Sequence, residues 1–153
     1  MFEVGNLLFF KPFIFKNGAV PQNKFMLVLG QDANENMLLA SLPTSKDHVP
    51  SDIPVVSGCL DLPDRQVNVF VFKNDECVIE LDETNTRAFA FNVDTFVYGG
   101  DLDTYPIESF QQQIENEESE VLLLGKINDS ILKALSECLK NSKMVKNKFK
   151  RLL

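Results

Sequence analysis

His48 is the only histidine of the chain, and it lies in a stretch, Pro43 to Pro54, that collects Thr, Ser, Asp and three prolines. An imidazole titrates at about 6.5 when unperturbed, so it can carry a proton either way near neutral pH. A lone ring in a proline-rich loop is equally well read as facing solvent. Thr44 and Ser45 stand just before it, and their hydroxyls suit a turn in which they satisfy neighbouring backbone groups. Such a composition forms no regular element but holds polar groups at a surface, and this is the predicted functional loop. Other chemistries find less support. Cys59, Cys77, Cys138 and His48 are dispersed, without the paired spacing of a zinc site. Gly99-Gly100 has no helix start or Lys-Ser/Thr pair behind it and reads as a turn, not a phosphate cradle. Asp101 and Asp103 read as solvated loop acids.

The elements that must position this loop are mainly strands. Leu7 to Phe15 is dense in Phe and Ile with Pro12 inside it, a strand that bends or lies at an edge near the proline. Phe25–Leu29 and Met37–Leu42 flank Gly30 and a polar stretch, a buried hairpin in outline. Val67–Phe72 and Cys77–Leu81, separated by Lys73-Asn74-Asp75-Glu76, read as a second hairpin. Ala88–Phe91, Thr95–Tyr98 and Val121–Leu124 are short β-like runs. Pro106 followed by Ile107, Phe110 and Ile114 predicts a short amphipathic helix within Tyr105–Glu118. Asn128, Asp129 and Ser130 offer capping oxygens before a helical stripe of Ile131, Leu132, Leu135, Cys138 and Leu139. The expected class is α+β: a mainly β domain with a C-terminal helix, its sheet strongly curved or partly closed into a small barrel.

With 153 residues, 44% of them hydrophobic and 13 Phe, the chain has material for one core. No apolar run is long enough to cross a bilayer, and no basic segment followed by an apolar stretch opens the chain. Three scattered cysteines argue for free thiols in a reducing compartment, so a cytoplasmic protein without membrane association is expected. The net charge is −7, which alone discourages nucleic-acid binding. Its distribution is uneven. Ala88 to Gly125 contains no Lys or Arg, whereas Lys140, Lys143, Lys146, Lys148, Lys150 and Arg151 close the chain with no acid among them. This predicts an acidic face, and a basic tail over 140–153 that is either frayed or turned toward a different partner.

Four short motifs fall in a particular order: Val4-Gly5-Asn6-Leu7-Leu8, Lys24-Phe25-Met26-Leu27-Val28-Leu29, Leu42-Pro43-Thr44-Ser45, and Leu124-Gly125-Lys126-Ile127-Asn128-Asp129 before a helix. In that order the chain resembles the MazF/PemK toxins, over roughly Val4 to Ser45 and Val121 to Leu139. The resemblance implies a small SH3-like, MazF-type barrel spanning residues 1–153 as one domain, with a short helix inside an acidic insertion at about 101–120. It further implies a homodimer, a neutralising antitoxin protein, and metal-independent endoribonuclease activity on single-stranded RNA without a cofactor.

Carried across on those motifs, the family's arginine falls on Lys24, which would supply positive charge. Thr44 and Ser45 would position the phosphate. His48 adds a proton carrier to this set by its place in the loop, without a family motif behind it. The same alignment shows departures. Lys24-Phe25 replaces Arg-Pro, and a lysine lacks the bidentate fork of a guanidinium. Asn6 replaces an Asp, and Asp94–Val97 lacks an expected second Arg. These departures and the acidic surplus favour a rival reading, a noncatalytic barrel that binds a protein or peptide in the same groove. A third is an adaptor domain unrelated to toxins.

Overall fold

A computed structural model describes residues 1–153. Antiparallel strands dominate. The first sheet has five strands in the order β10-β1-β2-β3-β9, from β1 (Asn6–Phe13), β2 (Gln22–Gln31), β3 (Asn36–Ser41), β9 (Asp103–Pro106) and β10 (Glu120–Lys126). The second has three in the order β4-β5-β8, from β4 (Gly58–Leu62), β5 (Val67–Phe72) and β8 (Thr95–Tyr98). β6 (Cys77–Ile79) and β7 (Phe89–Ala90) form a two-stranded ribbon. Three helices complete the chain: α1 (Ile107–Glu115), α2 (Asp129–Lys140) and α3 (Asn147–Lys150). The mainly β, α+β expectation is met, but the strands divide among three sheets and no ladder closes them into a barrel.

The five-stranded sheet is buried on both faces, which explains why β2 reads FMLVL without alternation. On one face Leu7, Leu27, Leu29, Leu38 and Ala40 meet Phe70, Phe72 and Val97 of the second sheet and Leu135, Cys138 and Leu139 of α2. On the other, Leu8, Phe10, Phe13, Met26, Val28 and Leu39 are closed by Phe110 of α1. Phe110 is fully buried, with ring centroids 5.0 Å from Phe10 and 5.7 Å from Tyr105. β1 bends as expected: its register against β2 shifts between Phe10 and Phe13, around the cis Lys11-Pro12 bond.

Several expectations are corrected. Cys59 and Cys138 are joined in a disulfide across β4 and α2, their Cα atoms 5.6 Å apart, and only Cys77 is free. The pair is 79 residues apart in sequence and is brought together only because α2 packs on the second sheet. The inference of a reducing compartment from three free thiols therefore falls. No helix is long and apolar enough to cross a membrane. β5 does not pair with β6; it lies between β4 and β8, which take both of its edges. The segment 101–120 includes a strand, β9, as well as the expected helix. Finally, the basic tail is docked and partly helical. Phe149 is buried, Leu152 and Leu153 pack against the main core, and the Leu152 carbonyl lies against Gly30 so closely that a Cβ there would sit 2.1 Å from it.

Candidate functional site

Lys24 is half-buried near the start of β2 and lies opposite Phe10 of β1. Residues opposite one another share a face of the sheet, so Lys24 projects on the side closed by α1, one step along from the Met26–Ser41 pair. The β2–β3 ladder continues past Ser41, since the Leu42 N–H donates to the Phe25 carbonyl at 3.2 Å. That register sets Pro43 across from Lys24. The Pro43 carbonyl in turn accepts from the Phe96 N–H at 2.9 Å, so the chain is bonded to both sheets within two residues. Thr44 follows directly and is exposed.

Ser45 and His48 are held on the outer face of the second sheet. The Tyr98 hydroxyl donates to the Ser45 carbonyl, and the His48 ring stands edge-on to Tyr98 with centroids 5.0 Å apart. The Ser45 Oγ accepts from the Asp47 N–H at 3.3 Å, the local turn role expected of it. Val49 and Val55 of the same loop cover Val67, Val69, Val71 and Phe96. Part of the predicted functional loop is thus a lid on an apolar sheet face. Burial pushes the Tyr98 phenol above its ordinary pKa, the charges of Asp47 and Asp101 add to this, and the His48 backbone amide opposes it.

Two cavities occupy this side of the molecule. A groove of about 460 Å³ is lined by Phe13, Phe15, Met26, Ser41, Tyr105, Asp101, Asp103 and Lys146, among others. A smaller one of about 170 Å³ is lined by His48, Gln66, Asn68, Tyr98 and Met144. Gly100 and Asp101 line both, forming the ridge between them. Two of the groove's lining residues are engaged by Lys16: its ammonium donates to Asp103 at 2.7 Å and to the Thr104 carbonyl at 2.7 Å, and stands 4.9 Å from the centroid of Tyr105. The Tyr105 phenol is raised by burial and by the neighbouring Asp103 charge. Behind the smaller cavity, buried Asn68 donates to Asp61 and to the Cys138 carbonyl, both at 3.2 Å. Its Oδ1 is packed against Gly99, where a Cβ would sit 2.3 Å away. Gly99 is therefore a position of close approach as well as a turn.

The fold brings Lys24 beside Pro43-Thr44 through backbone register, and it gathers Ser45 and His48 on Tyr98. It does not set all four side chains around one cavity: His48 lines the smaller one, and Lys24, Thr44 and Ser45 are absent from the linings of both. Sequence reasoning did not single out Tyr98, Tyr105 or Lys146, while Asp101 is exposed and unpaired, as a solvated loop acid should be. The two tyrosines are the only ones in the chain and flank the Gly-Gly turn, a signal that was present. No group of His, Cys, Asp or Glu side chains has the arrangement of a metal site. Comparison with protein-family models, with curated proteins and with solved structures finds no match.

Proposed function

We propose that the chain is a MazF/PemK-like endoribonuclease acting on single-stranded RNA, with Lys24, Thr44 and Ser45 at the phosphate. The observation that carries the reading is the Leu42 N–H to Phe25 carbonyl bond, which extends the pairing until Pro43, the residue before the first hydroxyl of the loop, stands opposite Lys24. On this reading the 2'-hydroxyl oxygen attacks the adjacent phosphorus and the bond to the 5'-oxygen breaks, leaving a 2',3'-cyclic phosphate and a 5'-hydroxyl. The Lys24 ammonium offsets charge on the phosphorane while the Thr44 and Ser45 hydroxyls donate to its oxygens, a step that requires the 44–48 segment to swing from its place on Tyr98 toward Lys24. His48 takes the proton from the 2'-oxygen or returns one to the 5'-oxygen. The five-stranded sheet with the smaller sheet on it is then an opened relative of the SH3-like barrel. A homodimer and an antitoxin protein belong to the same proposal.

A second reading is favoured by one observation, the carboxylates of Asp101 and Asp103 in the 460 Å³ groove. Asp103 is paired with Lys16, but Asp101 makes no ion pair. A noncatalytic module that takes a basic peptide over the Tyr105 surface fits that polarity. The two separate on incubating the purified protein with a long single-stranded RNA in EDTA. The nuclease reading expects discrete fragments ending in cyclic phosphate, and a fall of about a hundredfold or more in rate for Lys24→Ala. If wild type leaves the RNA intact, or Lys24→Ala cuts equally well, the nuclease reading is lost and the binding module stands in its place.

A further inference from the structure

Lys140, Lys143, Lys146, Lys148, Lys150 and Arg151 form a twelve-residue segment without an acidic side chain, so the remainder of the chain carries −13 against −7 for the whole. Five of these side chains are exposed and Lys150 is half-buried. None makes an ion pair, although four pairs exist elsewhere. A loose tail would spread such charge through solvent. Here buried Val145 and Phe149 pin the segment to the main core, and the cations are held on a fixed surface.

The segment also forms a wall of the cavities described above. Lys146 lines the 460 Å³ groove and Met144 lines the His48 cavity, on either side of the Gly100–Asp101 ridge. Unpaired cations therefore run up to two openings with accessible rings, half-buried Phe15 and Tyr105 in one and exposed His48 in the other. A single nucleic-acid strand needs this combination: cations that follow the backbone and ring faces on which unpaired bases stack. A duplex keeps its bases stacked on each other and has no use for the rings. Asp101, on the shared ridge, repels a phosphate but accepts from the amino edge of a base, which directs the backbone to the lysine side and the bases to the cavities.

We infer that the 140–151 segment is the backbone track for single-stranded RNA, with Lys143, Lys146 and Lys148 taking phosphates beside the groove. The inference rests on the nuclease reading for the identity of the strand but concerns binding, and it is separable from cleavage. The test is fluorescence anisotropy with a labelled single-stranded RNA, the same sequence as a duplex, and heparin, over a range of salt. It compares wild type, a triple Lys143→Gln/Lys146→Gln/Lys148→Gln variant, and Lys133→Gln on the exposed side of α2. All three substituted lysines of the triple variant are exposed, and its melting temperature confirms that it folds.

Wild type is expected to bind the single strand more tightly than the duplex or heparin. In the triple variant affinity should drop about tenfold or more, and the salt slope should fall by about 2, near 0.7 for each phosphate of the single strand that a lysine no longer neutralises. Lys133→Gln, an exposed lysine of α2 outside the segment and outside the proposed site, should keep the affinity and the slope of wild type. Binding without cutting would defeat the nuclease reading and leave the track intact. Cutting by wild type with no change of affinity or slope in the triple variant would overturn the track and spare the nuclease. Equal affinity for heparin or duplex would overturn it too, since the surface would then be a general polyanion patch.

Discussion

Ionising Tyr98 removes the donor that holds the Ser45 carbonyl and places a phenolate beside Asp47 and Asp101. Both tyrosines have folded-state pKa values raised above that of an ordinary phenol side chain, chiefly by burial. The stabilisation from keeping these phenols neutral is present below the unfolded pKa of about 10 and is lost as pH rises through the higher folded values. The chain has two Tyr and no Trp, so absorbance at about 295 nm follows these two groups alone. Both should titrate later than free tyrosine, and Tyr98→Phe and Tyr105→Phe should each remove one step. Titration of either with free tyrosine would contradict the burial described here. At this scale the local chemistry was legible: Ser45 does cap its own turn. The contacts that give Tyr98 and Asp101 their place join residues far apart along the chain and leave no local pattern.

Among the elements, the β2–β3 hairpin and helices α1 and α2 follow from hydrophobic spacing because each is set by neighbours a few residues away. The failure at β5 and β6 has a specific cause. Lys73 to Glu76 looks like a hairpin turn, but the Asp94 carboxylate accepts from the Asn74 N–H at 3.0 Å and from the Lys73 ammonium at 3.0 Å. Those bonds hold Asp94 depressed in pKa and tie the turn to the approach of β8, which then occupies the edge of β5. β4 was missed because its residues are only partly buried and its register comes from β5. The docking of the tail on β2 gives a further prediction. Gly30→Ala places a methyl on the Leu152 carbonyl and should cost about 1–3 kcal/mol in thermal unfolding, whereas Gly100→Ala, with open space around it, should be close to neutral. Equal effects of the two would refute the tight approach at Gly30.

For the whole molecule, the disulfide is the main feature that residue counting misjudged. Three cysteines allow one pair and one free thiol, and the choice is made by the packing of α2 against the second sheet. Closing a loop between residues 79 apart stabilises by about 4 kcal/mol in the chain-entropy model. Dithiothreitol should therefore lower the melting temperature, Cys138→Ser should reproduce that loss, and the reductant should do nothing more to the variant. A melting curve insensitive to reductant would mean that the bond is absent in solution. The charge asymmetry, in contrast, was readable from the sequence, but its spatial meaning depended on Phe149 and Val145 anchoring the basic end beside the groove.

Pro43 governs how the two layers can move. The preceding Leu42 amide is bonded to β2 and the Pro43 carbonyl to β8, and the proline ring fixes φ, so the crossing point offers no hinge. Sliding one layer over the other would require breaking these bonds together. A ligand arriving at this side is thus met by side-chain rotation and by displacement of the 44–57 loop, while the β-sheet framework keeps its shape.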